Sequence, residues 1–138
     1  MKLSNMQVMN PQFVPALDKL MKKSIPVSVC VELADCISEI EKKINTIQKV
    51  KNAIIDKYLE KDAKGKVILI DGKSPKYTSV DAQQKFISEV NDLLKENFEV
   101  TFNSKIDLDE TDLMSAQEYV LIKDFVNIVK KSIDATKK

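Results

Sequence analysis

The chain has 138 residues, of which 43% are hydrophobic and 31% charged, a balance typical of a folded protein rather than a disordered one. Its 22 basic residues, all lysines, nearly cancel 21 acidic ones, so the net charge of +1 provides no field that would attract a polyanion. Arginine, which reads guanine and phosphate through two parallel hydrogen bonds, is absent, and we expect no sequence-specific binding of nucleic acid.

The side chains that most often carry out catalysis are scarce. Histidine does not occur, and neither does a G-x-S-x-G motif or a glycine-rich phosphate-binding loop. The two cysteines, Cys30 and Cys36, would lie about 9 Å apart along a helix, which is too far for a disulfide. We therefore expect no enzymatic activity and no cofactor, and two reduced thiols buried as small apolar side chains.

The N-terminal quarter predicts two helices. Ser4 and Gln7 have the spacing of a capping box, in which each residue's side chain bonds to the other's backbone N–H. Asn10 followed by Pro11 marks a second helix start, with asparagine as the cap and proline in the first turn. The second helix is predicted to cover Gln12–Lys23 and to bury one apolar face.

A heptad pattern over residues 28–61 is the strongest signal in the sequence. Apolar residues follow alternating steps of four and three, broken only at Lys51, and charged residues flank them. The members of this set, which we call the seam, are Leu33, Ile37, Ile40, Ile44, Ile47, Ile54 and Tyr58. The seam packs either on other helices of the same chain or on another subunit. We favour the second interpretation, because a helix of roughly 48 Å exceeds the intrachain helices available to cover it.

Residues 66–79 predict a β-hairpin. The apolar run Val67–Ile70 precedes Asp71 and Gly72, a dipeptide that favours tight turns, and a second strand-like segment follows. We interpret the apolar run as the core of a small sheet. The alternative is an edge strand that accepts a strand from a partner.

A helix and a strand are predicted after the hairpin. Asp81 with Gln84 fits a helix start, and Asn97 fits its end. Residues 98–102 then alternate apolar and polar side chains, which is typical of a half-buried strand. This strand could join the hairpin as a third strand.

The last third of the chain predicts an acidic loop and a final helix. The loop covers residues 103–113, and Ser115 with Glu118 forms a second capping box. A heptad-like stripe then predicts a C-terminal helix over residues 115–134. The whole chain, residues 1–138, is predicted to form one mostly helical α+β domain with a small antiparallel hairpin or three-stranded sheet.

The acidic loop also contains the one candidate metal site. Asp107, Asp109, Thr111 and Glu118 occupy the first, third, fifth and twelfth positions of an EF-hand-like loop, and their oxygens suit a hard cation such as calcium. However, Asp112 replaces the turn glycine, and a strand rather than a helix precedes the loop. Acids ahead of a helix start, with Glu118 in the capping box, explain the same residues, and we favour that interpretation.

Short motifs across the chain suggest a family. Lys2–Gln7 fits a K-L-[ST]-N-x-Q start, and Lys23–Val27 is similar to a K-x-P-[IV] step into a long charged helix. Glu60–Lys66 is similar to E-K-D-x-x-G-K, and Met114–Glu118 fits M-[ST]-x-x-[ED]. In these motifs the chain resembles a family of small uncharacterised bacteriophage proteins, and it departs most from them over residues 67–80. The resemblance implies a phage gene product, and it brings neither an activity nor site residues.

Two functions remain open. The first is a virion or assembly component whose partners are copies of itself, in a homo-oligomer, or other phage structural proteins. The alternative is a non-structural phage protein that binds and inhibits a host enzyme or defence factor. No apolar run predicts a signal peptide or a membrane span, so the expected location is the bacterial host cytoplasm, with incorporation into the virion in the first case.

Overall fold

The computed structural model describes residues 1–109, 112 and 114–129. Their elements, in chain order, are β1 (Lys2–Ser4), α1 (Asn5–Met9), α2 (Phe13–Met21), α3 (Val27–Tyr58), β2 (Leu69–Ile70), β3 (Ser74–Pro75), α4 (Val80–Lys95), β4 (Asn97–Glu99), β5 (Ile106–Leu108), α5 (Ala116–Ile122) and β6 (Val126–Ile128), with a 3₁₀ turn at Lys123–Phe125 between the last two. The predicted mostly helical α+β fold and its long central helix are confirmed.

Helix α3 runs through two regions of the molecule. Its first half packs with α1, α2, α5 and the strand pairs β1–β4 and β5–β6 around one large apolar core, and we call this region the body. Its second half packs against α4 and carries the β2–β3 hairpin, and we call this region the arm. The C-terminal end of α4 reaches back to α1, so the two regions share a boundary.

The hairpin follows directly from the end of α3. Leu59 turns to extended backbone and bridges to Tyr77, which ends the helix. β2 and β3 pair antiparallel with Leu69 opposite Pro75, so the predicted hairpin forms, and a loop longer than two residues joins its strands. Asp71 and Gly72 take left-handed backbone in this loop, with φ of 53° and 70°, a conformation that glycine and aspartate tolerate.

The third strand is not part of the hairpin, and that prediction is wrong. β4 pairs antiparallel with β1, so that Leu3 lies opposite Phe98, and the pairing continues as the Asn5 N–H donates to the Glu96 carbonyl at 2.9 Å. Pairing with β1 brings Leu3, which is 1% exposed, into the body core, whereas Leu69 and Ile70 of the hairpin stay half-exposed. Burial of the Leu3 side chain decides the pairing.

The predicted C-terminal helix over residues 115–134 is also wrong in its length. α5 ends at Ile122, and β6 runs parallel to β5 with Val126 opposite Ile106. Ile106 and Leu108, in the segment predicted as an acidic loop, alternate inward along β5 and need a paired strand beside them. β6, with the β-branched residues Val126 and Ile128, supplies this paired strand. Residues 130–134 of the predicted helix lie outside the described ones.

The helix starts were partly predictable. Both capping boxes, Ser4 with Gln7 and Ser115 with Glu118, form with both hydrogen bonds in place. α4 begins two residues earlier than expected, because the Ser79 hydroxyl accepts from the Ala82 N–H at 3.1 Å. Asp81 therefore lies in the first turn, where a carboxylate is favoured by the helix dipole, rather than at the cap.

Two further caps differ from the prediction. Asn10 caps no helix start, since its side chain accepts from the Gln12 N–H at 2.9 Å in the turn before α2. At the other end of α4 the C-cap is Glu96 rather than Asn97, which already belongs to β4. Each difference is one or two residues, the usual uncertainty of a helix boundary.

Candidate interaction surfaces

The seam of α3 is covered by the chain's own elements. Leu33 and Ile40 are fully buried, Ile47 is 1% exposed, and they lie in the body core with aromatic residues of α2 and the 3₁₀ turn. Ile37 is also buried in this core, and Ile44 packs partly buried against it. The favoured interpretation, that the seam pairs with another subunit, is therefore corrected, because the seam has no free face for one.

The last two seam residues lie in the arm. Ile54 is 5% exposed and faces α4. Tyr58 is half-buried, and its hydroxyl donates to Glu89 of α4, while the Lys57 ammonium approaches the same carboxylate at 3.0 Å. The hydrogen bond from Tyr58 lowers the pKa of Glu89 and raises the pKa of Tyr58, since it stabilises the carboxylate and holds the phenolic proton. The end of the seam thus fastens α4 to α3.

Carboxylates of α3 hold an extended segment against the body. The Glu39 carboxylate accepts from the Thr101 N–H at 3.1 Å, and the Glu32 carboxylate accepts from the Asn103 N–H at 2.6 Å. The Ser104 hydroxyl also donates to Glu32, at 2.5 Å. The bonds from Asn103 and Ser104 lower the pKa of Glu32. The two glutamates are seven residues apart, two turns of helix, so they satisfy alternate N–H groups of one extended chain.

The residues of the candidate calcium loop are used in other ways. Glu118 accepts in the capping box and forms an ion pair with Lys19 at 2.8 Å, and the hydrogen bond from Lys19 lowers its pKa. Asp107 is exposed in β5, while Asp109 donates its N–H to the Asp112 carboxylate at 2.8 Å. Thr111 lies outside the described residues. Among the described residues, no group of three or more potential ligands is arranged to hold a metal ion.

Asp112, the residue in place of the EF-hand turn glycine, ties this loop to Lys23, just beyond the C-terminal end of α2. Its carboxylate accepts from the Lys23 ammonium at 2.5 Å as well as from the Asp109 N–H. Both bonds stabilise the ionised form, and the bond from Lys23 contributes most to lowering the pKa of Asp112. The loop is therefore shaped by contacts within the protein.

The two cysteines are free, as predicted, and differ in their surroundings. Cys36 is fully buried in the body core, and this burial, with smaller contributions from Glu39 and Glu32, raises the pKa of its thiol to about 11. Cys30 is only partly buried, so the prediction of two buried thiols is wrong for this residue. A buried thiol with so high a pKa is inert at neutral pH, which fits a structural role.

The hairpin carries apolar side chains that nothing covers. Leu69 is 49% exposed and Ile70 is 51% exposed, although consecutive strand residues point to opposite faces. β2 and β3 contact mainly each other, and Val67 and Ile68 at the base are only partly buried. The interpretation of Val67–Ile70 as sheet core is therefore wrong for its second half. We call Leu69–Ser74 the hairpin tip.

A second apolar surface lies on α3, opposite the seam. Val27 is 78% exposed and Val31 is 56% exposed, and Ala34 and Ser38 continue the same stripe. We call these four residues the outer face of α3. Sequence reasoning missed it, although the signal is visible: this stripe is uncharged from Val27 to Ser38, and its first charged residue is Glu41.

Within the described part of the chain, no helix combines the length and apolar composition needed to cross a bilayer. Comparison of the chain with protein-family models, with curated proteins and with solved structures found no match.

Proposed function

We propose that this chain is a non-catalytic bacteriophage protein, a virion or assembly component made in the host cytoplasm that works through contacts with other proteins. The resemblance of its motifs to small phage proteins supports the phage context. The exposed apolar side chains of the hairpin tip are the observation that supports contacts with other proteins. Its partners are other subunits of a phage particle.

The hairpin tip fits this role because few contacts with the rest of the described chain cover its apolar side chains. A two-stranded hairpin is barely stable in water unless one face is covered, and here both faces carry a half-exposed aliphatic side chain. Covering Leu69 and Ile70 fully would contribute about 1 kcal/mol for each side chain. A partner protein with an apolar groove gains that energy, and the hairpin gains its missing layer.

The base of the hairpin keeps the tip in a defined position. The Glu60 N–H donates to the Lys76 carbonyl, the Lys76 N–H to the Ile68 carbonyl, and the Ile68 N–H to the Glu60 carbonyl, at 2.8, 2.8 and 2.9 Å. Three chain segments are thus joined in a closed ring directly after α3. A partner therefore meets a hairpin that is already aligned with the arm, which lowers the ordering cost of binding.

Mass spectrometry of gradient-purified particles tests the proposal. The phage that encodes this chain should carry it in its particles at a defined stoichiometry. Absence from the particles, with the chain detected in infected cells, overturns the proposal. A host protein that co-purifies with the chain would then favour an inhibitor.

Variants connect the hairpin tip to incorporation. The double substitution Leu69→Ser and Ile70→Ser should leave the circular dichroism spectrum unchanged and remove the chain from purified particles. Val80→Ser is the matched control, because Val80 lies in the same arm and is 92% exposed but lies outside the hairpin. Equal incorporation of the hairpin variant and the control would show that the tip is not the contact.

A further inference from the structure

We infer that the outer face of α3 is a self-association surface, on which a second copy of this chain packs its own outer face in antiparallel orientation. The inference does not depend on membership in a virion. It rests on three properties of the first three turns of α3: uncharged small side chains, an unsatisfied helix start, and a carboxylate at the matching position.

The outer face differs from the rest of the solvent side of α3. From Val27 to Ser38 its stripe contains two valines, an alanine and a serine. The continuation of the same stripe is Glu41, Asn45, Lys49, Asn52 and Asp56, all exposed. Such a change along one face of one helix marks the first three turns as the part that is covered. Alanine and serine allow the backbone of a second helix to approach closely.

The start of α3 lacks the groups that normally satisfy it. Its N-cap is Pro26, which has no side-chain hydrogen bond to offer, and its first turn has no acidic residue. The N–H groups of Val29 and Cys30 bond to the Pro26 carbonyl, whereas those of Val27 and Ser28 have no acceptor among the described residues. No side chain among the described residues therefore accepts a hydrogen bond from the first two N–H groups of α3, where the helix carries a partial positive charge.

Asp35 supplies the missing acceptor when two copies meet. It is exposed on the flank of the outer face, and it forms none of the ion pairs found among the described residues. In an antiparallel pair with its two-fold axis at Val31, Asp35 of one copy lies opposite Val27 of the other. Each carboxylate then reaches the free N–H groups at the start of the partner's helix, and the two-fold repeats the contact.

The same charges argue against a parallel pair. A parallel arrangement in register would place two aspartates side by side and two positive helix starts together, which is repulsive. In the antiparallel pair, each Asp35 carboxylate instead lies beside the positive helix start of the other copy, so both contacts are attractive. Because the apolar stripe is short, the buried area falls below that of a standard interface, and we expect a reversible dimer at micromolar or higher concentration.

Sedimentation velocity over a range of concentrations, from micromolar to near-millimolar, is the first measurement. The wild-type chain should shift from monomer to dimer. Val31→Lys should remain monomeric throughout, because it sets two ammonium groups against each other at the two-fold axis. Asn45→Lys is the matched control, since it adds the same charge on the same stripe outside the overlap, and it should dimerise like the wild type. A wild-type chain that stays monomeric, or a dimer that survives Val31→Lys, overturns the inference.

A crosslinking experiment tests the orientation and remains informative if Val31→Lys misfolds. Chains with Val27→Cys and chains with Asp35→Cys, each also carrying Cys30→Ala, are mixed and oxidised. The antiparallel pair predicts mixed disulfides and no Val27→Cys self-dimer, since two residues at position 27 would lie about 12 Å apart along the helices, beyond disulfide reach. Self-dimers of Val27→Cys without mixed product would establish the parallel arrangement and refute the proposed one.

Discussion

The body and the arm of this protein share one helix but are stabilised differently. The body buries large side chains completely, including Phe13, Leu33 and Phe125, and it joins elements from both ends of the described chain. In the arm, the buried apolar residues are Ile54, Leu59 and Ala82. Polar contacts at Tyr58 add to them, and the hairpin stays uncovered. The comparison indicates that the body provides stability, whereas the arm is the region that a partner can still stabilise.

The largest expected effect tests this division with a matched pair of truncations. Ile40→Ala, in the body, should lower the free energy of unfolding by about 3 kcal/mol, because it leaves a cavity in a close-packed core. Ile54→Ala removes the same atoms in the arm and should cost less, since its surroundings can collapse or admit water. Urea denaturation followed by circular dichroism gives both values. Equal losses would mean that the two regions are one cooperative unit.

An intermediate effect is expected from Glu32, which fastens residues 103 and 104 to the body. Its pKa is lowered from an ordinary value of 4.5, so the stabilisation it provides is complete above that pH and is lost as the pH falls through the lower folded-state value. Glu32→Gln should therefore be less stable than the wild type at neutral pH, and the difference should shrink in acid. Thermal melts between pH 7 and pH 3 measure this convergence.

Glu41→Gln is the control for this titration. Glu41 is exposed on the same helix and forms none of the ion pairs or side-chain hydrogen bonds found among the described residues, so its melting curve should follow the wild type at every pH. A constant gap between Glu32→Gln and the wild type across the acid range would contradict the linkage and assign the loss to packing alone.

The smallest effect is expected in the arm. Tyr58→Phe removes the hydroxyl that donates to Glu89 while keeping the ring. Because the contact is accessible to solvent, global unfolding should barely change, and faster amide hydrogen exchange should be confined to the facing turns of α3 and α4. Exchange that accelerates equally in α2 would show that the arm does not open on its own.

Local signals in the sequence predicted local structure correctly. The capping boxes at Ser4 and Ser115 depend on residues three apart, and the heptad of α3 depends on repeats within one helix, so neighbours in sequence contain the information. The heptad pattern did not predict which element packs against the apolar face of α3. Apolar spacing predicts a buried face, whereas the choice between α2, α4 and a second subunit depends on how the rest of the chain folds.

Pairings between distant segments were not predictable in the same way. β1 and β4 have three residues each and lie more than 90 residues apart, so no local pattern connects them. The stripe through Tyr119, Ile122 and Val126 fits a helix as well as it fits a helix followed by a strand. The competition was decided by Ile106 and Leu108 of β5, which need a neighbouring strand more than α5 needs a further turn.

The pairing of β1 with β4 has a consequence for how the chain folds during its synthesis on the ribosome. The first strand has no partner until about a hundred residues have been made, so the N-terminal helices emerge with their apolar sides open. Contacts of such sequence separation are slow to form, because a long loop must close before they contribute. The arm is made entirely within that interval and contains its own short-range contacts. We therefore expect the nascent chain to organise α3, the hairpin and α4 first, and to close the body only after β4, β5, α5 and β6 have been made.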